Sequence, residues 1–329
     1  MEYRQLGRSG LKVSAVGIGC NNFGMLIDAE KTKGVVDKAI ELGITLFDTA
    51  DVYGEQGKSE EFLGKALGAR RKDILIATKF GNAMGQGMLN GGASRRYIMS
   101  AVEASLRRLG TDYIDLYQIH TPDPTTPLDE TMRALDDLVH QGKVRYIGHS
   151  NFAGWQTADA SWTAKALNLS SFISAQNRYS LLSREIEAEL VPSCAAHGVS
   201  ILPFFPLESG LLTGKYKRGE KPAEGTRYAA WSNRGPIASR FFSDDKFAKV
   251  EQQLQALCDH FGHSMLDMAV GWLLSKPYVG SVIAGATKPE QLEQNVKAAL
   301  WRPSVEEMQK IDEITPPPGG IAMQPTQKK

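Results

Sequence analysis

The amino-acid sequence predicts a closed (β/α)8 barrel, one domain over residues 1–315, with a flexible tail over residues 316–329. Eight short, β-rich apolar runs alternate with amphipathic stretches from end to end, one pair per ~40 residues, the pattern of parallel strands joined by crossover helices. No linker-like composition breaks the middle of the chain. A length of 329 residues would suit two average domains, but barrels of this kind commonly use about 250 residues or more as one, and eight units favour closure over an open sheet.

The elements follow in order. Tyr3–Val13 places Gly-Arg-Ser-Gly between two strand-like pieces and predicts a small hairpin. Val16–Gly19 is the first barrel strand, followed by a helix over Thr32–Leu42. The second pair is Ile44–Phe47 and Ser59–Leu67. The third is Asp73–Thr78 and a helix over Ser94–Leu109, in which Val102, Leu106 and Leu109 recur at helical spacing. Tyr113–Ile119 pairs with Leu128–Gln141, whose Met132, Leu135, Leu138 and Val139 form one stripe. Lys143–Gly148, Phe172–Ala175, Val199–Phe204 and Val279–Ile283 supply the other four strands. The helices among them are Ala153–Leu167, Arg184–His197 and Ser264–Ser275, with Glu290–Leu300 after the last strand and Val305–Ile314 before the tail. Two long irregular segments, Gly81–Gly92 and Lys217–Asp245, lie on the side where barrel active sites form, and loops of that length are usually functional lids or disordered.

Composition excludes several classes. Lys+Arg 38 against Asp+Glu 37 leaves no excess charge to drive nucleic-acid or anionic-membrane binding. Cys20, Cys194 and Cys258 are odd in number and far apart, without metal-ligand spacing, so neither a disulfide framework nor a metal site is expected. The polar start, MEYRQLGRSG, and the lack of any run of about 18 apolar residues predict a cytoplasmic chain without a membrane partner. The oligomeric state is left open.

In such a barrel, polar residues at the C-terminal ends of strands point into the site. Asp48 closes the second strand, Tyr53 lies just beyond it, Lys79 closes the third and His120 the fourth, each directly after an apolar run in LFD, ATK and YQIH or shortly beyond one. Singly, each has an ordinary reading as a turn residue, a solvated lysine or a structural histidine. Successive strands, however, bring them around one mouth. A phenol titrates near pH 10; a nearby ammonium favours its phenolate, and a carboxylate keeps that ammonium charged. Tyr53 is then suited to give a proton to a carbonyl oxygen as hydride reaches the carbon, with His120 orienting the same oxygen. Cys20 and Asn21–Asn22 are expected along the pocket wall. The Met84–Met88 loop, Trp231, Phe241 and Phe242 are candidates for an apolar substrate wall, and His149 is expected to be a packed histidine.

GITLFDTADVYGEQGKSEEFLGKAL, ATKFG, DLYQIH, GKVRYIGHSNF, AQNRYSLL, PLESGLLTGKY and GATKPEQLEQNVKA, in that order over residues 3 to 315, resemble the motifs of the aldo-keto reductases. The resemblance implies a hairpin closing the barrel floor and a catalytic tetrad at Asp48, Tyr53, Lys79 and His120. It also implies a nicotinamide dinucleotide held without a Rossmann domain, consistent with the lack of GxGxxG after a strand. By the same resemblance, Ser150, Asn151 and Gln176 hold the carboxamide and Phe204 stacks on the nicotinamide. Leu207, Ser209, Gly210, Leu211 and Lys215 wrap the pyrophosphate. Gly285, Thr287, Lys288, Gln291, Gln294 and Asn295 meet the adenosine end. Where the family usually has aromatic-Ser-Pro-Leu, this chain has Phe204-Phe205-Pro206-Leu207, so the serine hydroxyl is missing. Lys288 and the helix opening at Pro289 suit a 2′-phosphate, so NADPH is expected, with NADH as the alternative. The implied activity is reduction of aldehydes, and of some ketones, to alcohols. The rival reading is a slow, redox-sensing barrel like the subunits attached to potassium channels; those relatives carry Asn in place of His120.

Overall fold

A computed structural model describes residues 1–319 except 88, 222, 225 and 232–234. Residue Met88 and the last ten residues of the expected tail therefore lie outside the described residues.

The chain begins with β1 (Tyr3–Gln5) and β2 (Lys12–Ser14), an antiparallel hairpin. Alternating units follow: β3 (Val16–Gly19), α1 (Ala29–Glu41), β4 (Leu46–Asp48), α2 (Tyr53–Leu67), β5 (Leu75–Phe80), α3 (Arg95–Leu109), β6 (Ile114–Ile119) and α4 (Leu128–His140). Then come β7 (Val144–Ser150), α5 (Gly154–Leu167), β8 (Phe172–Arg178), α6 (Leu190–His197) and β9 (Ser200–Phe204). Three short helices, α7 (Arg227–Trp231), α8 (Pro236–Phe241) and α9 (Asp244–Ala248), precede α10 (Gln255–Phe261) and α11 (Met265–Ser275). The described chain closes with β10 (Val282–Gly285), α12 (Pro289–Ala298) and α13 (Val305–Ile314).

Strands β3 to β10 form one parallel eight-stranded sheet in the order β10-β3-β4-β5-β6-β7-β8-β9. A parallel bridge between Ile201 and Val279 joins its two ends, with Ile201 N donating to Tyr278 O and Gly280 N to Ile201 O. The expected eight-unit barrel is therefore what forms. Some of its helices start where capping chemistry dictates: Asp28 caps α1, Ser94 caps α3, and Ser264 with Asp267 forms a reciprocal capping box on α11.

The barrel interior is layered. Leu46, Ala77, Leu116, Leu202 and Ile283 point inward from the strands and pack with Leu6 and Val13 of the hairpin, so the bottom is apolar and closed. Two residues further along, the same inward face carries Asp48, Lys79 and Gln118, with Ser150 and Gln176 nearby on the neighbouring strands. The polar layer therefore rests on a dry floor.

Three expectations need correction. The strands outrun their apolar runs: β5 continues through Lys79 and Phe80, and β8 through Arg178. The polar residues there find partners on or just beyond the neighbouring strands, Lys79 at Asp48 and Arg178 at Glu208, so polarity does not end the strand. The expected helix over Arg184–His197 is a 3-10 turn at Glu185–Glu187 followed by α6. Pro192 lacks an N–H and so belongs in a first helical turn, while Arg184 is committed to Glu187, Asp312 and Thr315 O. The segment Lys217–Asp245 is not irregular throughout, because α7, α8 and the start of α9 lie within it. Among the described residues no helix is long and apolar enough to cross a membrane.

Candidate active site

Lys79 is completely buried, and its Nζ donates to Asp48 Oδ2 at 2.6 Å and to Thr49 O at 2.9 Å. A buried ammonium is tolerable only with such partners. Burial presses Lys79 down, but Asp48 and Tyr53 outweigh it, and its pKa is raised. The other oxygen of Asp48, Oδ1, accepts from Gln176 Nε2 at 2.7 Å and Gln118 Nε2 at 3.3 Å. Both oxygens of this carboxylate therefore have donors within the protein.

Tyr53 begins α2, and its ring lies 5.0 Å from Lys79 Nζ. The backbone beyond it is unusual: Gly54, Glu55, Gln56 and Gly57 all have positive φ, and regular helix resumes only at Lys58. Gly54 allows this close turn, since a Cβ there would lie 2.5 Å from Phe23 O. His120 stands edge-on to Tyr53, with ring centroids 5.7 Å apart. Burial, helped by Lys79, presses its pKa to about 3, so the imidazole is neutral at physiological pH. The Tyr53 hydroxyl is shifted upward: burial dominates, and the opposing pull of Lys79 does not overcome it. The expected tendency toward phenolate is thus outweighed, and the resting group is a phenol.

These groups open into a cavity of about 670 Å3. Asp48, Tyr53 and His120 line its inner end, while Lys79 lies beneath the lining. Ser150, Asn151, Gln176, Phe204, Leu207, Ser209, Gly210 and Lys215 line it, as do Gly285, Thr287, Lys288, Gln291, Gln294 and Asn295. Leu211 does not. Its side chain is fully buried among apolar residues such as Leu254 and Met268, so only its backbone is available to a ligand. Cys20 is likewise buried away from the cavity, which Asn21 and Asn22 do line. The expected apolar wall does not form: none of Met84, Trp231, Phe241 and Phe242 lines the cavity; Trp231 and Phe241 pack on Phe205, which does, at 5.9 and 4.9 Å, whereas Phe242 turns to Tyr228 and Tyr216. His149 is packed, stacking on Phe152 at 4.6 Å on the outer face of β7.

A dinucleotide fits this cavity on several counts. The amide nitrogens of Asn151 and Gln176 are already committed, to His120 O and Asp48, which leaves their oxygens to accept from a carboxamide. The Ser209 hydroxyl is buried without a partner at the cavity wall. Sequence reasoning does not single out Arg227, which lines the same cavity. Its guanidinium donates to Asn21 Oδ1 at 2.8 Å and Asn22 Oδ1 at 3.0 Å, and lies over Phe205 and Trp231. It makes no ion pair with a carboxylate among the described residues. Burial lowers its pKa, against the pull of Tyr216 and Tyr53. A cation left without a counter-charge in a cavity is suited to an anion. Gly285 makes room for it, since a Cβ there would lie 3.2 Å from the guanidinium. The only signal in the sequence was one arginine in a long polar loop. Among the described residues no cluster of His, Cys, Asp or Glu could hold a metal.

A parallel barrel whose strand ends gather a phenol, a buried ammonium, a carboxylate and an imidazole at one cavity is suited to an oxidoreductase of carbonyl groups. The comparisons place it more closely. The model described as "Aldo/keto reductase family" matches residues 15–316, and the chain belongs to that family of NAD(P)H-dependent oxidoreductases. It is 38% identical over 303 residues to a probable voltage-gated potassium channel subunit beta of Oryza sativa subsp. japonica, covering 91% of each chain. It is 35% identical to the versiconal hemiacetal acetate reductase of Aspergillus parasiticus, over 95% of this chain and 96% of that one. It is 34% identical to the L-glyceraldehyde 3-phosphate reductase of Escherichia coli (strain K12), over 91% of this chain and 87% of that one.

Proposed function

We propose that this chain is an NADPH-dependent reductase that converts aldehydes, and some ketones, to alcohols, with residues 1–315 acting as one domain in the cytoplasm. The observation that carries the reading is the meeting of Tyr53, Lys79, Asp48 and His120 at the inner end of the cavity. The dinucleotide, when bound, supplies a hydride to the carbonyl carbon. Tyr53 gives its proton to the carbonyl oxygen, and Lys79, held charged by Asp48, stabilises the phenolate that this leaves. Neutral His120 donates to the same oxygen and orients it. Ser150, Asn151 and Gln176 hold the carboxamide, and Phe204 offers its ring as a stacking face. Ser209, Gly210, Lys215 and Arg227 meet the pyrophosphate, and Lys288 with the start of α12 favours a 2′-phosphate.

The test is Tyr53→Phe. Turnover of an aldehyde should fall about 10²- to 10⁴-fold while NADPH binding, followed by cofactor fluorescence, stays near wild type. Equal loss of both would remove Tyr53 from this role. A second reading, an NADPH-binding barrel that turns over slowly and acts through a partner, draws support from the relatives named as channel subunits. Steady-state consumption of NADPH with a panel of aromatic and aliphatic aldehydes separates the two.

A further inference from the structure

The wall of the cavity between Phe205 and Gly210 has a backbone that side chains rarely adopt. Phe205, Glu208 and Ser209 have φ of 49°, 46° and 58°, and only Gly210, at 99°, is a residue at ease there. Short-range bonds close the bend on itself, with Glu208 N donating to Phe205 O and both Gly210 N and Leu212 N to Leu207 O, but they do not relieve these dihedral angles. Something outside the bend must hold it.

That hold is visible at Glu208. Its side chain is fully buried, yet it points away from the cavity into a cluster of donors. Arg178 forks onto it, with one nitrogen 2.5 Å from Oε2 and Nε 3.3 Å from Oε1. Ser180 Oγ donates to Oε1 at 2.7 Å, and Lys246 Nζ to Oε2 at 2.9 Å. These partners come from the end of β8, the segment after it, and α9. Lys246 and Arg178 also donate to Arg240 O, which ties α8 into the same cluster. Arg178 lies 4.4 Å over the ring of Phe241, and Phe241 packs edge-on against Phe205 at 4.9 Å. One arginine therefore grips the bend twice, through charge at Glu208 and through rings at Phe205. Despite its burial, Glu208 stays below the usual carboxylate range because Lys246 and Arg178 face it.

We infer that Glu208 is a positioning residue for dinucleotide binding: its carboxylate, clamped by Arg178, Ser180 and Lys246, holds the Phe205–Gly210 bend in the shape that faces the cavity. This rests on the reading of that cavity as a dinucleotide site. A group serving packing alone would need no charge, and a buried carboxylate facing two cations is a costly way to fill space. The clamp makes no contact with the Asp48–Lys79 pair, so it should act on cofactor binding and leave the chemical step alone.

The experiment compares wild type with Glu208→Gln, which keeps the size and removes the charge. NADPH dissociation constants by fluorescence, KM for NADPH, kcat at saturating NADPH with one fixed aldehyde, and the melting temperature are measured together. The expected result is a dissociation constant and KM raised about tenfold or more, with kcat within about twofold. Arg178→Lys, which keeps the charge but loses the fork, should raise both binding constants several-fold; it decides the matter where Glu208→Gln does not fold. A folded variant with unchanged binding constants, or one that loses kcat with KM unaltered, overturns the inference. A wild-type protein that binds neither NADPH nor NADH overturns the dinucleotide reading itself, which is a different failure.

Discussion

In Asp48→Asn the side chain keeps its outline and loses its charge beneath the candidate site. Lys79 Nζ has no access to water and depends on Asp48 Oδ2 at 2.6 Å and Thr49 O at 2.9 Å. An asparagine can turn its nitrogen toward Lys79, opposing donor to donor, or toward Gln176 Nε2, which now sits 2.7 Å from an acceptor. Neither orientation satisfies both neighbours. The gross attraction at this distance is about 6 kcal/mol at an effective dielectric constant of 20, and breaking a buried pair by removing one partner costs roughly 3–5 kcal/mol. In a chain of 329 residues that corresponds to a fall of roughly 4–7 °C in melting temperature at pH 7. The pH dependence has a definite sign. Lys79 is raised in the folded wild type, so its contribution is complete below the ordinary lysine value of about 10.4 and is lost as pH rises through the folded value. Without Asp48, burial dominates and pulls Lys79 below that value, so the variant sheds part of its penalty as pH approaches 10. The gap between the two proteins should therefore narrow at alkaline pH. Thermal melts at pH 7, 9 and 10 measure it. A difference under about 2 °C at pH 7, or a gap that widens with pH, would refute the argument.

Three further outcomes are expected. Lys288→Ala removes an exposed cation at the start of α12; it should raise KM for NADPH roughly 3- to 10-fold and leave KM for NADH unchanged, and equal effects on both would place the 2′-phosphate elsewhere. The rate of carbonyl reduction should be flat from about pH 5 to pH 8, because His120 is pressed to about 3 and Tyr53 above its ordinary value, and should decline only as Tyr53 ionises; a rate falling with an apparent pKa near 6.5 would mean that a protonated His120 is required. Gly64→Ala puts a Cβ 2.3 Å from Leu109 O and 2.6 Å from Leu109 C, so α2 and the end of α3 must part; a cost of about 1–3 kcal/mol should show in denaturant melts, and an unchanged midpoint would mean that the two helices separate freely.

The barrel was legible because its strands are buried on both faces and read as apolar runs, and because Asp48, Lys79 and His120 follow such runs directly. Their meeting could be argued from strand order alone. Arg227 could not, because what marks it is Asn21 and Asn22, more than two hundred residues away and joined to it only in space. Glu208, within PLESGLLTGKY, is hidden for a similar reason. Its partners are Arg178, Ser180 and Lys246, and no spacing announces a carboxylate that faces inward from a turn. Leu211 shows the converse limit: a position carried over from a resemblance says nothing about which way its side chain turns. The positive φ values at Glu55 and Gln56 were equally hidden, since neither residue type signals such a backbone.

The layering of the barrel explains why the upward shift of Tyr53 suits the proposed direction. The floor of Leu46, Ala77, Leu116 and their neighbours admits no water beneath Lys79, so the ammonium has only Asp48, Thr49 and Tyr53 to face. In such surroundings a neutral phenol is favoured at rest, because an isolated phenolate would be poorly solvated. The same dryness strengthens the attraction between Lys79 and any negative charge that appears on Tyr53. In the proposed reaction the proton is therefore present before a carbonyl arrives, and the ammonium acts most strongly once it leaves. A more solvated lysine would lower the phenol's pKa less and stabilise the product of proton transfer less. What the chain invests in burying Lys79 is recovered in the step where charge develops.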